Sequence, residues 1–287
     1  MQERQVKIKG LSINYKIVGG GKNPVILLHG WGVSSDKYVV TAEAILKSDN
    51  DYKFYIPDLP GFGKSEEPKE NWKIDDYVEF TREFVKSVAR RETGFELVKN
   101  IIEGAIQNNG QKFSNNNKKV VLLAHSNGGR IAIKYAVKYP DDIEKLVLTG
   151  AAGIKHKLTQ KQQFFFYLSK IGKKIFGLLL LKGLEKYAKK LLYVVVREKD
   201  YVEASPRMKE IMKNALAEDL TPRLGEIKIP TILIWGENDN STPLANGELM
   251  YNEIDGSKLF VIPEANHSAI YYKAEEFAKI FLENCGV

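Results

Sequence analysis

Three polar residues of the 287-residue chain, Ser126, Asp239 and His267, each stand just past a short apolar run. Together they form the set that acyl transfer needs. A serine hydroxyl attacks a carbonyl poorly until an imidazole takes its proton, and the imidazole needs a carboxylate to hold its tautomer and stabilise its charged form. Ser126 follows Val120-Val121-Leu122-Leu123-Ala124-His125, and after it Ile131, Ala132, Tyr135 and Ala136 recur at helical spacing. The pattern predicts a buried strand, a sharp turn and a helix. A turn tight enough to lift the hydroxyl clear of a sheet needs very small residues two before and two after it, and Ala124 and Gly128 meet that need.

The acid and the base each have rivals. Glu237 lies two residues from Asp239 in Gly236-Glu237-Asn238-Asp239-Asn240-Ser241-Thr242-Pro243, and the spacing within that block favours Asp239. His29, His125 and His156 are the other imidazoles. His29 and His125 sit beside glycine-rich loops, where hydrogen bonding to loop backbone is the plainer role. Only His267, in Pro263-Glu264-Ala265-Asn266-His267, follows the acid in the chain.

The elements that must position these groups read as alternating strands and helices. Gln5–Lys9 and Ser12–Val18 alternate apolar and polar about Gly10 and predict an antiparallel edge hairpin. Pro24–Leu28 and Lys53–Pro57 read as strands, with a short helix near 42–46 between them. Tyr77, Phe80, Phe84 and Val88 mark one helix face, and a second helix is expected to open with the capping box Thr93 to Glu96. The Asn-rich stretch 108–117 reads as a polar surface loop. After Lys145–Thr149 the strand rhythm stops and resumes at Thr231–Trp235 and Leu259–Ile262. Such alternation calls for a mostly parallel sheet covered by helices, with the chemistry at the carboxyl ends of its strands.

With those positions in hand, the chain resembles the α/β-hydrolase superfamily over essentially its whole length. Five blocks carry the resemblance in order: His29-Gly30-Trp31-Gly32; Asp58-Leu59-Pro60-Gly61-Phe62-Gly63-Lys64-Ser65; Ala124-His125-Ser126-Asn127-Gly128; Gly236 to Pro243; and Pro263 to His267. The order nucleophile, acid, histidine matches that of the superfamily. The resemblance implies an α/β-hydrolase fold with core 1–153 and 225–287 and a helical cap, 154–224, inserted between two late strands. It also implies an oxyanion hole made by the backbone N–H groups of Trp31 and Asn127, and no metal or organic cofactor. Ala124 and Asn266 stand where relatives more often carry glycine. A carboxylate nucleophile, as in epoxide hydrolases and haloalkane dehalogenases, is set aside because position 126 is serine. The expected activity is hydrolysis of a small-molecule carboxylic ester, with lactonase, thioesterase, C–C bond hydrolase and perhydrolase chemistries open on the same machinery. The rival of another class is a non-catalytic, receptor-like ligand binder.

Composition sets further bounds. With 44% hydrophobic and 28% charged residues the chain is an ordinary globular sequence. The net charge of +7 is local: residues 151–229 hold 17 Lys and Arg against 8 Asp and Glu, a surplus larger than that of the whole chain. No nucleic-acid-binding motif accompanies it, so no nucleic-acid partner is expected. Within that stretch Phe164, Phe165 and Tyr167 are candidates for an acyl pocket, with cap core as the plainer reading. Lys182, Lys186, Lys189 and Lys190 form a basic face, read as solvated, with an anionic membrane surface as the alternative. The start of the chain shows no apolar leader, the run Ile175–Leu181 is too short to span a bilayer, and a cytoplasmic location is expected. The lone Cys285 excludes an internal disulfide and is expected to be a frayed, inert thiol. Nothing in the sequence fixes an oligomeric state.

Overall fold

The structure, a computed structural model, describes residues 1–88, 119–155 and 204–286. The chain opens with the hairpin β1 (Gln2–Ile8) and β2 (Leu11–Val18). Its two-residue turn, Lys9-Gly10, has φ of 49° and 76°, the left-handed pair that matches the twist of a tight hairpin. Then come β3 (Asn23–Leu28), a helix Val39–Ser48, β4 (Tyr52–Pro57) and the helix Ile74–Val88. Beyond residue 118 follow β5 (Val120–His125), the helix Asn127–Lys138, β6 (Ile143–Thr149) and the helix Pro206–Ala217. The chain closes with β7 (Thr231–Gly236), the helix Leu244–Glu253, β8 (Lys258–Ile262) and the helices Ala269–Tyr272 and Ala274–Cys285.

Eight strands form one sheet in the order β1-β2-β4-β3-β5-β6-β7-β8. Pairing is antiparallel for β1 with β2 and β2 with β4, and parallel from β4 through β8. This is the mostly parallel sheet anticipated from the alternating pattern, in the α/β-hydrolase fold that the resemblance implies. Side chains of the central strands alternate between two cores, as the period of two demands. Ile26, Leu28, Leu122, Ala124, Leu146 and Leu148 face the helices Ile74–Val88 and Asn127–Lys138. Val25, Leu27, Val121, Leu123 and Val147 face the helices Val39–Ser48 and Ala274–Cys285. Burying each such Val, Leu or Ile side chain contributes about 1.5–3 kcal/mol, and these buried strands carry the loops at their ends.

The order of the strands decides where those loops meet. From β3 the chain steps one way to β4, then back past β3 to β5, so the connections leave β3 and β5 on opposite sides. Such a switch point opens a crevice at the carboxyl ends of the two strands. His29-Gly30-Trp31 leaves β3 there and Ser126 leaves β5.

Cys285 is not frayed: it is buried as the last residue of its helix, and its carbonyl accepts a hydrogen bond from Tyr52 Oη at 2.8 Å. Its thiol is inert because burial pushes its pKa up to about 12. The helix expected from Thr93, the Asn-rich stretch, His156, Phe164, Phe165, Tyr167 and the four cap lysines lie outside the described residues. Of the expected cap, residues 154–155 and 204–224 are described. Ser205 caps the helix Pro206–Ala217 by accepting the N–H of Met208 at 3.1 Å, and Met208, Ile211 and Ala215 join the sheet's core.

Candidate active site

The turn at the end of β5 is as sharp as the small flanking residues predict. Ser126 has φ 53° and ψ −119°, a conformation L residues rarely hold unless the surroundings enforce it. Its N–H donates to Thr149 O at 3.2 Å, and its carbonyl accepts from Gly129 and Ala152, each at 2.9 Å. Gly128 must be glycine because a Cβ there would stand 2.4 Å from the Leu28 carbonyl oxygen. The elbow is therefore pinned to β3, to the start of its own helix and to the loop after β6.

Ser126, His267 and Asp239 come together from the ends of β5, β8 and β7. Ser126 Oγ lies 2.9 Å from His267 Nε2, and His267 Nδ1 lies 2.8 Å from Asp239 Oδ2. A carboxylate only accepts, so Nδ1 carries the proton and Nε2 is left to take the hydroxyl proton of Ser126. Asp239 is 5% exposed, and burial alone would push its pKa up. The hydrogen bond and positive charge of His267, with donors from Thr242, outweigh burial and hold the carboxyl below its usual value. Its Oδ1 accepts the N–H groups of Ser241 and Thr242 at 2.8 and 2.9 Å. Glu237 points elsewhere, its carboxylate taking the N–H of Glu264 at 2.9 Å. Asn266, in place of a glycine, closes its own turn by accepting the N–H of Ser268 at 2.9 Å.

The opposite flank of Ser126 is backbone. Gly30 sits so close that a Cβ on it would lie 3.0 Å from Ser126 Cβ. Among the described residues nothing accepts a hydrogen bond from the N–H of Trp31 or of Asn127, and both residues line the cavity beside Ser126. The loop is held by the second sequence block. Asp58 accepts from Ser35 N, Lys64 N and Asn14 Nδ2 at 2.7 to 3.0 Å, and Leu59 N–H donates to His29 Nε2 at 2.8 Å. His29 Nδ1 therefore carries the proton and donates to Gly30 O at 2.6 Å. Phe62 meets Trp31 edge to face at a centroid distance of 4.8 Å.

Above Ser126 opens a cavity of about 430 Å³. Trp31, Ile154, Met212, Ala215 and Leu216 give it apolar walls, so the helix Pro206–Ala217 supplies part of its lining. Two further lining residues escaped sequence reasoning. Arg130, one helical turn beyond the elbow, is 7% exposed and donates Nη1 to Glu218 O at 3.2 Å; burial lowers its pKa, against the pull of the Glu218 and Asp219 charges. Asn246 is 3% exposed, and its Oδ1 has no hydrogen-bond partner among the described residues. Arg130 is the only permanently charged side chain among the described residues lining the cavity. No cluster of metal-ligating side chains exists among the described residues.

A family model for the alpha/beta hydrolase fold matches residues 23–274. The chain belongs to this family. Among its relatives is a 2-hydroxy-6-oxononadienedioate/2-hydroxy-6-oxononatrienedioate hydrolase of Klebsiella pneumoniae, 25% identical over 95% of this chain and 90% of that protein. A 2-hydroxy-6-oxo-6-phenylhexa-2,4-dienoate hydrolase of Comamonas testosteroni is 25% identical over 94% and 90%. The solved structure of a bromoperoxidase from Bacillus anthracis superposes with a TM-score of 0.68 at 22% identity, covering 100% of both chains. An α/β-hydrolase scaffold with a serine elbow thus supports hydrolase chemistry, while ester cleavage in particular has no such support. No described helix is long and apolar enough to cross a membrane.

Proposed function

We propose that the chain is a serine hydrolase that cleaves a carboxylic ester through an acyl-enzyme. The observation that carries the reading is the hydrogen-bonded chain Ser126–His267–Asp239 at the floor of the cavity. Ser126 Oγ attacks the carbonyl carbon as its proton passes to His267 Nε2. The N–H groups of Trp31 and Asn127 stabilise the resulting oxyanion, each donor of this kind being worth on the order of 3 kcal/mol of barrier. His267 then protonates the departing alcohol, and a water activated by His267 releases the acid. Asp239 holds the imidazole and its positive charge throughout. Of the expected cap, the helix Pro206–Ala217 would meet the acyl group through Met212, Ala215 and Leu216, which line the cavity.

A second reading, hydrolysis of a C–C bond beside a ketone in a carboxylate-bearing substrate, has two supports. The relatives just named act on 6-oxo-dienoates, and Arg130 offers a buried positive charge in the cavity. A panel of neutral p-nitrophenyl esters and a 6-oxo-2,4-dienoate, assayed with wild type, Ser126→Ala and Arg130→Gln, separates the readings. The ester reading expects turnover of the neutral esters, lost in Ser126→Ala and unaffected by Arg130→Gln. Turnover confined to the dienoate and weakened by Arg130→Gln would replace it with the second reading. Equal turnover by wild type and Ser126→Ala would remove both.

A further inference from the structure

His125 touches both flanks of the site without belonging to the proton-transfer chain. Its ring is 3% exposed; Nε2 lies 2.8 Å from the carbonyl oxygen of His267 and Nδ1 lies 2.8 Å from Tyr38 Oη. A carbonyl oxygen only accepts, so Nε2 must carry the ring proton. In the neutral ring Nδ1 is then an acceptor, and Tyr38 O–H is its donor. Tyr38 Oη in turn accepts the N–H of Gly30 at 3.1 Å. Every proton in the series is thereby assigned: Gly30 N–H to Tyr38, Tyr38 O–H to His125, His125 Nε2–H to the backbone of His267.

We infer that Tyr38 and His125 are positioning residues, a strut with fixed protons that sets the oxyanion loop at Gly30-Trp31 and the base His267 at one separation across Ser126. The inference rests on the serine-hydrolase reading for its effect on turnover, and on geometry and the neutrality of the buried ring for its proton assignment. The strut's two ends are the two groups that must agree to within a fraction of an ångström for attack and charge stabilisation to occur together. Its middle has to remain neutral. The rings of His125 and His267 lie 4.7 Å apart, and His267 becomes positive in each turnover. A proton on His125 Nδ1 would both repel that charge and remove the acceptor for Tyr38 O–H. Burial, reinforced by the charge of His267, depresses the pKa of His125 to about 3, so the proton stays off. Neighbouring histidines thus hold opposite tautomers, His267 protonated at Nδ1 and His125 at Nε2.

Two measurements on the full chain test this. With only four histidines in the sequence, ¹⁵N-imidazole spectra of wild type and His125→Gln assign the His125 ring. Expected is an Nε2–H tautomer that does not titrate between about pH 5 and 9; an Nδ1–H tautomer or a titrating ring would overturn the strut. Tyr38→Phe removes only the hydroxyl, and we expect a loss of about 10- to 100-fold in kcat on a p-nitrophenyl ester with KM nearly unchanged, matched by slower fluorophosphonate labelling of Ser126. His125→Gln, whose amide N–H mimics Nε2–H, should retain more kcat than His125→Leu. A lower melting temperature in Tyr38→Phe with kcat per labelled site unchanged, or equal kcat in the Gln and Leu variants, would reduce the pair to fold support. Ser126-independent labelling of wild type would instead defeat the hydrolase reading, leaving the tautomer measurement to decide the strut.

Discussion

The two flanks of Ser126 are built from different materials. On one side His267 and Asp239 present side chains, each past the end of its own strand and hydrogen-bonded to the other. On the other, Trp31 and Asn127 offer backbone N–H groups beside the closely packed Gly30, and side chains enter only as supports: His29, Phe62, Tyr38. The contrast teaches why one flank can be deleted by a point substitution and the other only displaced. It also separates what a sequence displays from what it hides. A residue type announces a proton carrier, whereas a glycine announces only that something comes near.

Substitutions that sharpen this contrast fall in a definite order. Ser126→Ala should cost on the order of 10⁴ to 10⁶ in kcat. Asp239→Asn, which leaves the shape of the site but frees His267 to take the wrong tautomer, should cost about 10⁴, and a pH–rate profile of unchanged height would contradict that role. Gly30→Ala adds a Cβ 3.0 Å from Ser126 Cβ and 3.3 Å from His125 Nδ1. It shifts the loop without deleting a donor, so steady-state kinetics should show a loss of only about 10- to 100-fold, chiefly in kcat. A loss as large as that of Ser126→Ala would erase the distinction between the flanks.

Much of the side-chain flank was legible in the sequence, because its residues end apolar runs in the right order. The loop Gly30-Trp31 was legible only through its glycines and the resemblance they carry. Arg130 and Asn246 were not legible, since nothing local marks a helical residue as facing a cavity formed with the helix Pro206–Ala217. Tyr38 and His125 were illegible for a related reason: their bond spans 87 residues, and that from His125 to His267 spans 142. His125 read as a loop-bonding histidine, which is correct as far as it goes; that the loop is the base's own follows from topology. Cys285 was misread as frayed because nearness to the chain's end suggests fraying, whereas the apolar face of its helix, with Phe277 and Phe281, carries it into the core.

The smallest expected effect concerns stability against pH. In the unfolded chain an imidazole takes up a proton near pH 6.5, whereas folded His125 resists protonation down to about 3. The unfolded state therefore binds the extra proton as pH falls, and the contribution present above 6.5 is lost on going below it, at about 1.4 kcal/mol per pH unit. His29, also buried and depressed by burial, adds to the same slope. Denaturant titrations at about pH 5 and pH 7 should show a shallower pH dependence in His125→Gln than in wild type, by roughly 2 kcal/mol at most. An identical dependence would mean that His125 is protonated in the folded protein.

The central claim, that Ser126 is a nucleophile armed by His267 and Asp239, is tested most directly by fluorophosphonate labelling followed by peptide mass mapping. The account predicts one adduct, on the peptide carrying Ser126, absent from Ser126→Ala and formed far more slowly in Asp239→Asn. An adduct on another residue, or labelling of wild type and Asp239→Asn at equal rates, would contradict it.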